Sequence, residues 1–328
     1  MTPTGPLRGG IDLGGTKIQT AIVTTDGNVV GQARHPTPQE GGPKAVAEQM
    51  AAALREASDA AGIETDSLQG VGVGSPGDTD ETTGTVSGAR NIPGWDGSFP
   101  LGKVLSEALG TQVRVGNDVQ VATDAEFHLG AGRPYSSLLG VFWGTGVGGG
   151  LILDGKPWIG RGAAGEIGHV VVKRNGARCP CGRRGCMEAY AGRAPMERKA
   201  RKAQRSGVET DLFKIMEQRG RDRLTSAVWQ HALQHHDALA ESLIRRAVRA
   251  LGTGIASAQN LLDVEAVILG GGLGLRLGDA YAGEIEREMH KHLFVADRPP
   301  AFHLAELGDL GGAIGASLLV ARPAPASA

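Results

Sequence analysis

Ile11-Asp12-Leu13-Gly14-Gly15-Thr16-Lys17 opens the stretch that decides the fold. Ile11-Asp12-Leu13 reads as a short buried strand broken by a glycine turn, and a second strand follows from Lys17 to Thr25. It ends at Asp26-Gly27, a pair favoured in tight hairpins because both residues tolerate positive φ. The same design recurs later in the chain. Leu138 to Trp143 is an apolar strand broken by Gly144-Thr145-Gly146, Gly150 to Leu153 continues as a strand, and Asp154-Gly155 closes it. Two copies of strand, glycine turn, strand and Asp-Gly predict two domains of one design facing each other. Glycine is abundant, 52 of 328 residues, so either hairpin alone carries little weight.

Around these hairpins, helices and strands alternate. Pro43 to Ala61 predicts an alanine-rich helix, Leu68 to Val73 a strand, Leu101 to Leu109 a helix and Val113 to Gly116 a buried strand. Val119 to Leu129 predicts a helix with Asp118 near its start. Ala238 to Leu261 predicts a long helix, Ala266 to Leu269 a strand, Gly270-Gly271-Gly272 a turn, and Leu310 to Val320 a last apolar helix. Such alternation predicts α/β layers with ligand sites at the carboxyl ends of strands. The expected division is a small N-terminal α/β domain, residues 1–118 plus 311–328, and a larger α/β domain, residues 119–310.

Apolar residues make up 41% of the 328, enough for two cores, and the formal net charge is -1. That balance gives no electrostatic reason to bind nucleic acid or an anionic membrane. No apolar run approaches the roughly 18 residues of a membrane span, and Met1 to Gly10 lacks the pattern of a secretory signal. A cytoplasmic protein is expected.

The glycine turns have a shared chemistry. Without a Cβ in the way, backbone N–H groups approach phosphate oxygens closely. Thr16 adds a hydroxyl and Lys17 a positive charge, while Gly144, Thr145 and Gly146 offer the same from the second copy. With Gly271 and Gly272 after a third strand, a nucleotide site outweighs the alternative of ordinary hairpins. Gly14 and Gly15 lie between two strands rather than before a helix, so this is not a P-loop. Asn117-Asp118 follows a buried strand and opens a helix. Asp118 there is either an N-cap or a base that accepts the proton of a hydroxyl during phosphoryl transfer.

All three cysteines, Cys179, Cys181 and Cys186, fall within one span of eight residues. With His169 they supply three sulfurs and an imidazole, the ligand set of a closed tetrahedral Zn2+ site. Four protein ligands leave no position for water, so the zinc is structural. Its expected task is to lock the loop carrying Glu166, His169 and Glu188, which then present acceptors to sugar hydroxyls. Arg178, Arg183 and Arg184 offer a nucleic-acid knuckle as the weaker reading.

Taken together these residues resemble the ROK (repressor, open reading frame, kinase) family, and within it the bacterial glucokinases, from about Gly9 to Val320. The matching pieces are Asp12 to Lys17, Gly74-Ser75-Pro76-Gly77, Asn91-Ile92-Pro93-Gly94-Trp95, Asn117-Asp118 and Gly144 to Gly150. They continue with Gly165-Glu166-Ile167-Gly168-His169 and the run Cys179 to Glu188. The resemblance implies an actin-like, ribonuclease-H-like fold with ATP, Mg2+ and sugar in a cleft between two domains. It implies glucose phosphorylated to glucose 6-phosphate with Asp118 as base, and Gly77, Asn91, Asn117, Glu166, His169 and Glu188 holding the sugar. His169 would serve zinc and sugar through different ring nitrogens. Homodimers or homotetramers are common in the family. Trp143 departs from the family pattern, being bulkier than the aliphatic residue expected there, and Ala194 to Asp211 is read as the solvated face of a helix. A sugar-responsive repressor is the rival from another class; its DNA-binding element would precede Asp12, where only eleven residues stand, too few for a groove-reading domain. A non-catalytic sugar binder is disfavoured by Asp118. Other hexoses, including N-acetylmannosamine, N-acetylglucosamine, mannose and fructose, remain alternatives to glucose.

Overall fold

A computed structural model describes residues 5–89 and 92–321. The strands are β1 (Leu7–Leu13), β2 (Lys17–Thr24), β3 (Val29–Pro36), β4 (Val71–Ser75), β5 (Asp78–Asp80), β6 (Thr85–Ser87), β7 (Ser98–Phe99), β8 (Val113–Asn117), β9 (Leu138–Trp143), β10 (Val147–Leu153), β11 (Lys156–Pro157), β12 (Ala266–Gly270) and β13 (Ala301–Leu304). The helices are α1 (Gly42–Ala61), α2 (Leu101–Leu109), α3 (Asp118–Leu129), α4 (Glu188–Ala191), α5 (Arg193–Arg205), α6 (Leu212–Gln218), α7 (Ser226–Gln234), α8 (Ala238–Leu262), α9 (Gly271–His290) and α10 (Gly311–Leu318). Among the described residues, no helix is long and apolar enough to cross a membrane.

The doubled hairpin is the organising feature. One sheet runs β3-β2-β1-β4-β8 and another β11-β10-β9-β12-β13. In both, the hairpin strands pair antiparallel, Leu13 opposite Ile18 and Trp143 opposite Val147. In both, the first hairpin strand then pairs in parallel with the next strand of the sheet, β1 with β4 and β9 with β12. The same order in both sheets is what two copies of one design require.

The chain divides into two compact units. One comprises Met1–Arg133, Pro157–Ala164 and Glu306–Ala328, the other Pro134–Lys156 and Gly165–Ala305. The boundary thus falls after Arg133 rather than at Asp118, because packing and not chain order decides where α3 belongs. Val121 of α3 shares a buried cluster with Ala316 and Leu319 at the chain's far end. Glu126 of α3 also accepts from the backbone N–H groups of Glu306 and Leu307, at 3.0 and 2.9 Å.

Within the first unit the sheet is covered on both faces. Val46, Met50, Leu54 and Ala57 recur on one side of α1 at helical spacing and bury with Ile11, Leu13, Ile18 and Ile22. Leu101 and Leu105 of α2 join them. On the other face Ala313 and Ile314 of α10 pack on Ala21 and Val23. In the second unit the strand β12 is buried along its length, and α8 lies alongside α9. The N-cap of α8 is Asp237, whose carboxylate accepts from Ala240 N at 2.7 Å and from Thr210 Oγ1 at 2.8 Å.

Most expected elements sit within a few residues of their expected bounds. The exception is Gly270-Gly271-Gly272, which is not a turn between elements: Gly270 ends β12 and Gly271 already starts the 20-residue helix α9. Its glycine-rich opening hides the helical periodicity. The basic segment from Ala194 to Asp211 is largely the helix α5.

Candidate functional site

In the first unit, parallel pairing sets the site. Asp12 stands opposite Gly74, Gly74 opposite Gly116, and Ser75 opposite Asn117. The carboxyl ends of β1, β4 and β8 therefore release Gly14-Gly15-Thr16, Pro76-Gly77 and Asn117-Asp118 along one sheet edge, where α/β sheets bind ligands. The first glycine turn closes through Gly14 N to Lys17 O at 2.9 Å. Thr37 pins it from the end of β3, its hydroxyl donating to Gly14 O at 2.6 Å and its N–H to Thr16 O at 3.2 Å.

Helix α3 begins at Asp118, and its cap is Asn117. The Asn117 side-chain oxygen accepts from Val119 N and Gln120 N, both at 3.1 Å. Capping donors at N2 and N3 is the ordinary work of an N-cap side chain, so the capping alternative for Asp118 falls to its neighbour. Asp118 is half-buried, and its Oδ1 also lies 2.9 Å from Val119 N.

Two charges in this unit meet residues from the far end of the chain. Lys17, expected as a positive charge for phosphate, has its Nζ 3.3 Å from Asp309 Oδ1. Asp12, within the motif but assigned no role there, is half-buried beneath the start of α10, where Gly312 lies against its carboxyl. Burial pushes the Asp12 carboxyl up to about 6, with Lys17 opposing the rise and Asp309 adding to it. Asn91 lies outside the described residues.

In the second unit the Gly144-Thr145-Gly146 turn and the glycine start of α9, far apart in sequence, lie side by side. A Cβ on Gly144 would stand 3.9 Å from Gly272 N. Gly271 has φ +82°, and a Cβ there would come within 2.6 Å of Trp143 O, so only glycine lets α9 begin against the end of β9. The Gly144 turn and the first N–H groups of this 20-residue helix form a small-residue cradle suited to phosphate oxygens. Trp143 points inward, fully buried, and its Nε1 donates to Ala191 O at 2.7 Å.

The four residues read from the sequence as zinc ligands lie together. The ligand atoms of His169, Cys179, Cys181 and Cys186 all lie within 4.8 Å of one another. Cys179 Sγ is 3.8 Å from His169 Nδ1, and Cys181 Sγ is 3.8 Å from Cys186 Sγ. A tetrahedron with Zn–S bonds of about 2.3 Å has edges of about 3.8 Å, so these residues fit a closed Zn2+ site. Burial pushes the Cys179 and Cys186 thiols above their usual range; zinc would take the proton's place on such sulfurs.

The same cluster reaches the candidate sugar residues. His169 turns its other nitrogen, Nε2, toward Glu166 Oε2 at 3.7 Å. Glu188 Oε1 lies 3.7 Å from Cys179 Sγ, and its Oε2 accepts from Val147 N at 3.1 Å. Gly146 makes room for this, since a Cβ there would lie 2.3 Å from Glu188 Oε2. Glu188 thereby ties the second glycine turn to the cysteine loop.

Arg193 was not singled out from the sequence, where it carries no motif. Its backbone N–H donates to Gly144 O at 3.0 Å, and its guanidinium donates to Thr145 Oγ1 at 2.8 Å and Leu224 O at 3.0 Å. Accepting from Arg193 directs the Thr145 hydroxyl proton away from the guanidinium, leaving it for another acceptor. Burial lowers the guanidinium's proton affinity, opposed by Glu197.

A model of the ROK family matches residues 8–322. A glucokinase of Halalkalibacterium halodurans is 34% identical over 315 residues, covering 95% of this chain and 94% of that protein. An N-acetylmannosamine kinase of Yersinia pestis is 31% identical over 312 residues, covering 93% and 96% respectively. The crystal structure of a ROK family glucokinase from Streptomyces griseus in complex with glucose and AMPPNP superposes with a TM-score of 0.81 at 31% identity, over 95% of this chain and 98% of that one.

Proposed function

The chain belongs to the ROK family, and from that premise we propose that it is an ATP-dependent sugar kinase acting first on glucose, with Asp118 as general base. Its fold is the actin-like, ribonuclease-H-like α/β fold of ROK sugar kinases. The observation that carries the catalytic assignment is the cap of α3: Asn117 does the capping, and Asp118 stands beside it at the carboxyl edge of the sheet.

In this reading Asp118 accepts the proton of the sugar 6-hydroxyl as that oxygen attacks the γ-phosphorus, and the bond to the β-phosphate oxygen breaks, leaving ADP. Gly14, Gly15, Thr16, Gly144, Thr145, Gly146, Gly271 and Gly272 are assigned to phosphate oxygens, through backbone N–H and hydroxyl donors. Mg2+, when bound with ATP, neutralises charge on the phosphates. Lys17 is already paired with Asp309, so its contribution to phosphate binding requires exchanging that partner. Gly77, Asn117, Glu166, His169 and Glu188 are assigned to the sugar. Zinc on His169, Cys179, Cys181 and Cys186 keeps Glu166, His169 and Glu188 in place.

The glucose assignment draws on glucokinase relatives. A second reading, an N-acetylhexosamine substrate, is favoured by kinases for N-acetylmannosamine and N-acetylgalactosamine at similar identity. The test is ADP release with Mg·ATP across a sugar panel, wild type beside Asp118→Asn. One hexose should be turned over well, and the variant should lose roughly 100- to 10,000-fold in kcat while still binding it. Failure of zinc-loaded, folded protein to phosphorylate any sugar would overturn the kinase reading, and faster turnover with polyphosphate would overturn ATP as donor.

A further inference from the structure

A cavity of about 220 Å³ in the second unit is lined by Lys173, Tyr190, Arg246, Arg249 and Thr253, among others. It takes no part in the chemistry above. Three cations and no carboxylate line it. Arg246, Arg249 and Thr253 follow one another at three- and four-residue spacing, so α8 presents them on one face. Lys173 approaches from the loop between His169 and Cys179.

Among the described residues none of the three cations has an ion-pair partner. The only acidic residue within α8, Glu241, lies two turns earlier and pairs with Arg245 at 3.2 Å. Glu288, across from Gly252 of α8, is taken by Lys291 at 2.6 Å and His292 at 3.5 Å. Three like charges around one concavity repel each other unless an anion sits among them.

The wall is also held in place. The Arg246 guanidinium lies over the Tyr190 ring, 5.7 Å from its centroid, within cation–π range. The Tyr190 hydroxyl accepts from Ala177 N at 2.7 Å. Arg246 is half-buried while Lys173 and Arg249 are exposed, so the cavity has one fixed cation at its base and two adaptable ones at its mouth.

We propose that this cavity is a binding site for a phosphate-bearing small molecule, separate from the catalytic residues. The guanidinium fork matches phosphate oxygens, and three positive charges suit a dianion better than a single carboxylate. A water molecule's share of liquid volume is about 30 Å³, so a cavity of this size admits a phosphate group with part of a carbon skeleton. Inorganic phosphate and a sugar phosphate share this chemistry.

The test is a calorimetric titration of the full-length, zinc-loaded protein, without nucleotide or sugar, by inorganic phosphate and separately by glucose 6-phosphate. At least one should bind saturably, and the tighter of the two identifies the source. Lys173→Ala with Arg249→Ala removes two exposed cations without disturbing Arg246 on Tyr190. That double variant should melt like wild type, keep its sugar-dependent ADP release, and bind the anion roughly 100-fold more weakly, tenfold for each charged hydrogen bond lost. Absence of binding by wild type, undiminished binding by the double variant, or displacement of the anion by AMPPNP would each overturn the site. None of these bears on the kinase reading, which the sugar-dependent activity of wild type checks separately.

Discussion

Replacing Asp12 by Asn should make the protein more resistant to unfolding at high pH than at low pH, relative to wild type. The carboxyl sits under the first turn of α10, and burial raises it from 3.8 to about 6. Between those values the folded chain keeps a proton that the unfolded chain has released. The protonated group's contribution is thus fully present below pH 3.8 and is lost as pH rises through about 6. Ionising the group in the fold costs at most about 3 kcal/mol at pH 8, taking about 1.36 kcal/mol for each pH unit between the two values. At pH 5, where the folded carboxyl is still mostly protonated, the same relation leaves about 1.6 kcal/mol. Asn carries no such cost at either pH. Urea unfolding of wild type and Asp12→Asn at both pH values isolates the effect, because titrating groups that do not interact with Asp12 cancel in the difference. The variant should gain about 1.4 kcal/mol on wild type between pH 5 and pH 8. A stability difference that stays constant across this range would refute the burial argument, whatever its absolute size.

Other perturbations address the second unit. Cys181→Ala should release zinc and lose most sugar turnover by loosening the loop that carries His169 and Glu188; full activity in protein shown by metal analysis to be zinc-free would refute this. Gly146→Ala places a Cβ 2.3 Å from Glu188 Oε2 and should raise the sugar KM by at least tenfold; an unchanged sugar KM would remove Glu188 from the sugar site. Arg193→Gln takes the guanidinium from Thr145 and should raise the ATP KM roughly tenfold, the size of one lost hydrogen bond to a charged group, leaving the sugar KM alone. Partial rescue by Arg193→Lys would match, whereas an equal rise in both constants would reduce Arg193 to a structural role.

Much of the fold was legible because it is written in short-range chemistry. Asp26-Gly27 and Asp154-Gly155 mark turns within a few residues of the strands they join, and α2 and β9 need only their own hydrophobic pattern. The cluster of His169 with the three cysteines was legible for the same reason: three thiols within one loop must lie close together, and His169 is only ten residues from Cys179. The cap of α3 was harder. Asn117 and Asp118 are both good caps, and only the backbone geometry at the end of β8 chooses between them. Helix α9 was hidden because Gly271 and Gly272 weaken the helical signal where the helix starts.

The doubled hairpins, the cysteine cluster and the residue types of the glycine turns can be read along the chain, because each depends on neighbours a few positions apart. Which residues from distant parts of the chain meet is a matter of packing. Lys17 finds Asp309, Asp12 is covered by α10, Arg193 reaches the Thr145 turn, and Arg246 of α8 lies over Tyr190. Each of these meetings is set by sheet register and helix packing. Those depend on how whole elements stack, which no local pattern of side chains encodes.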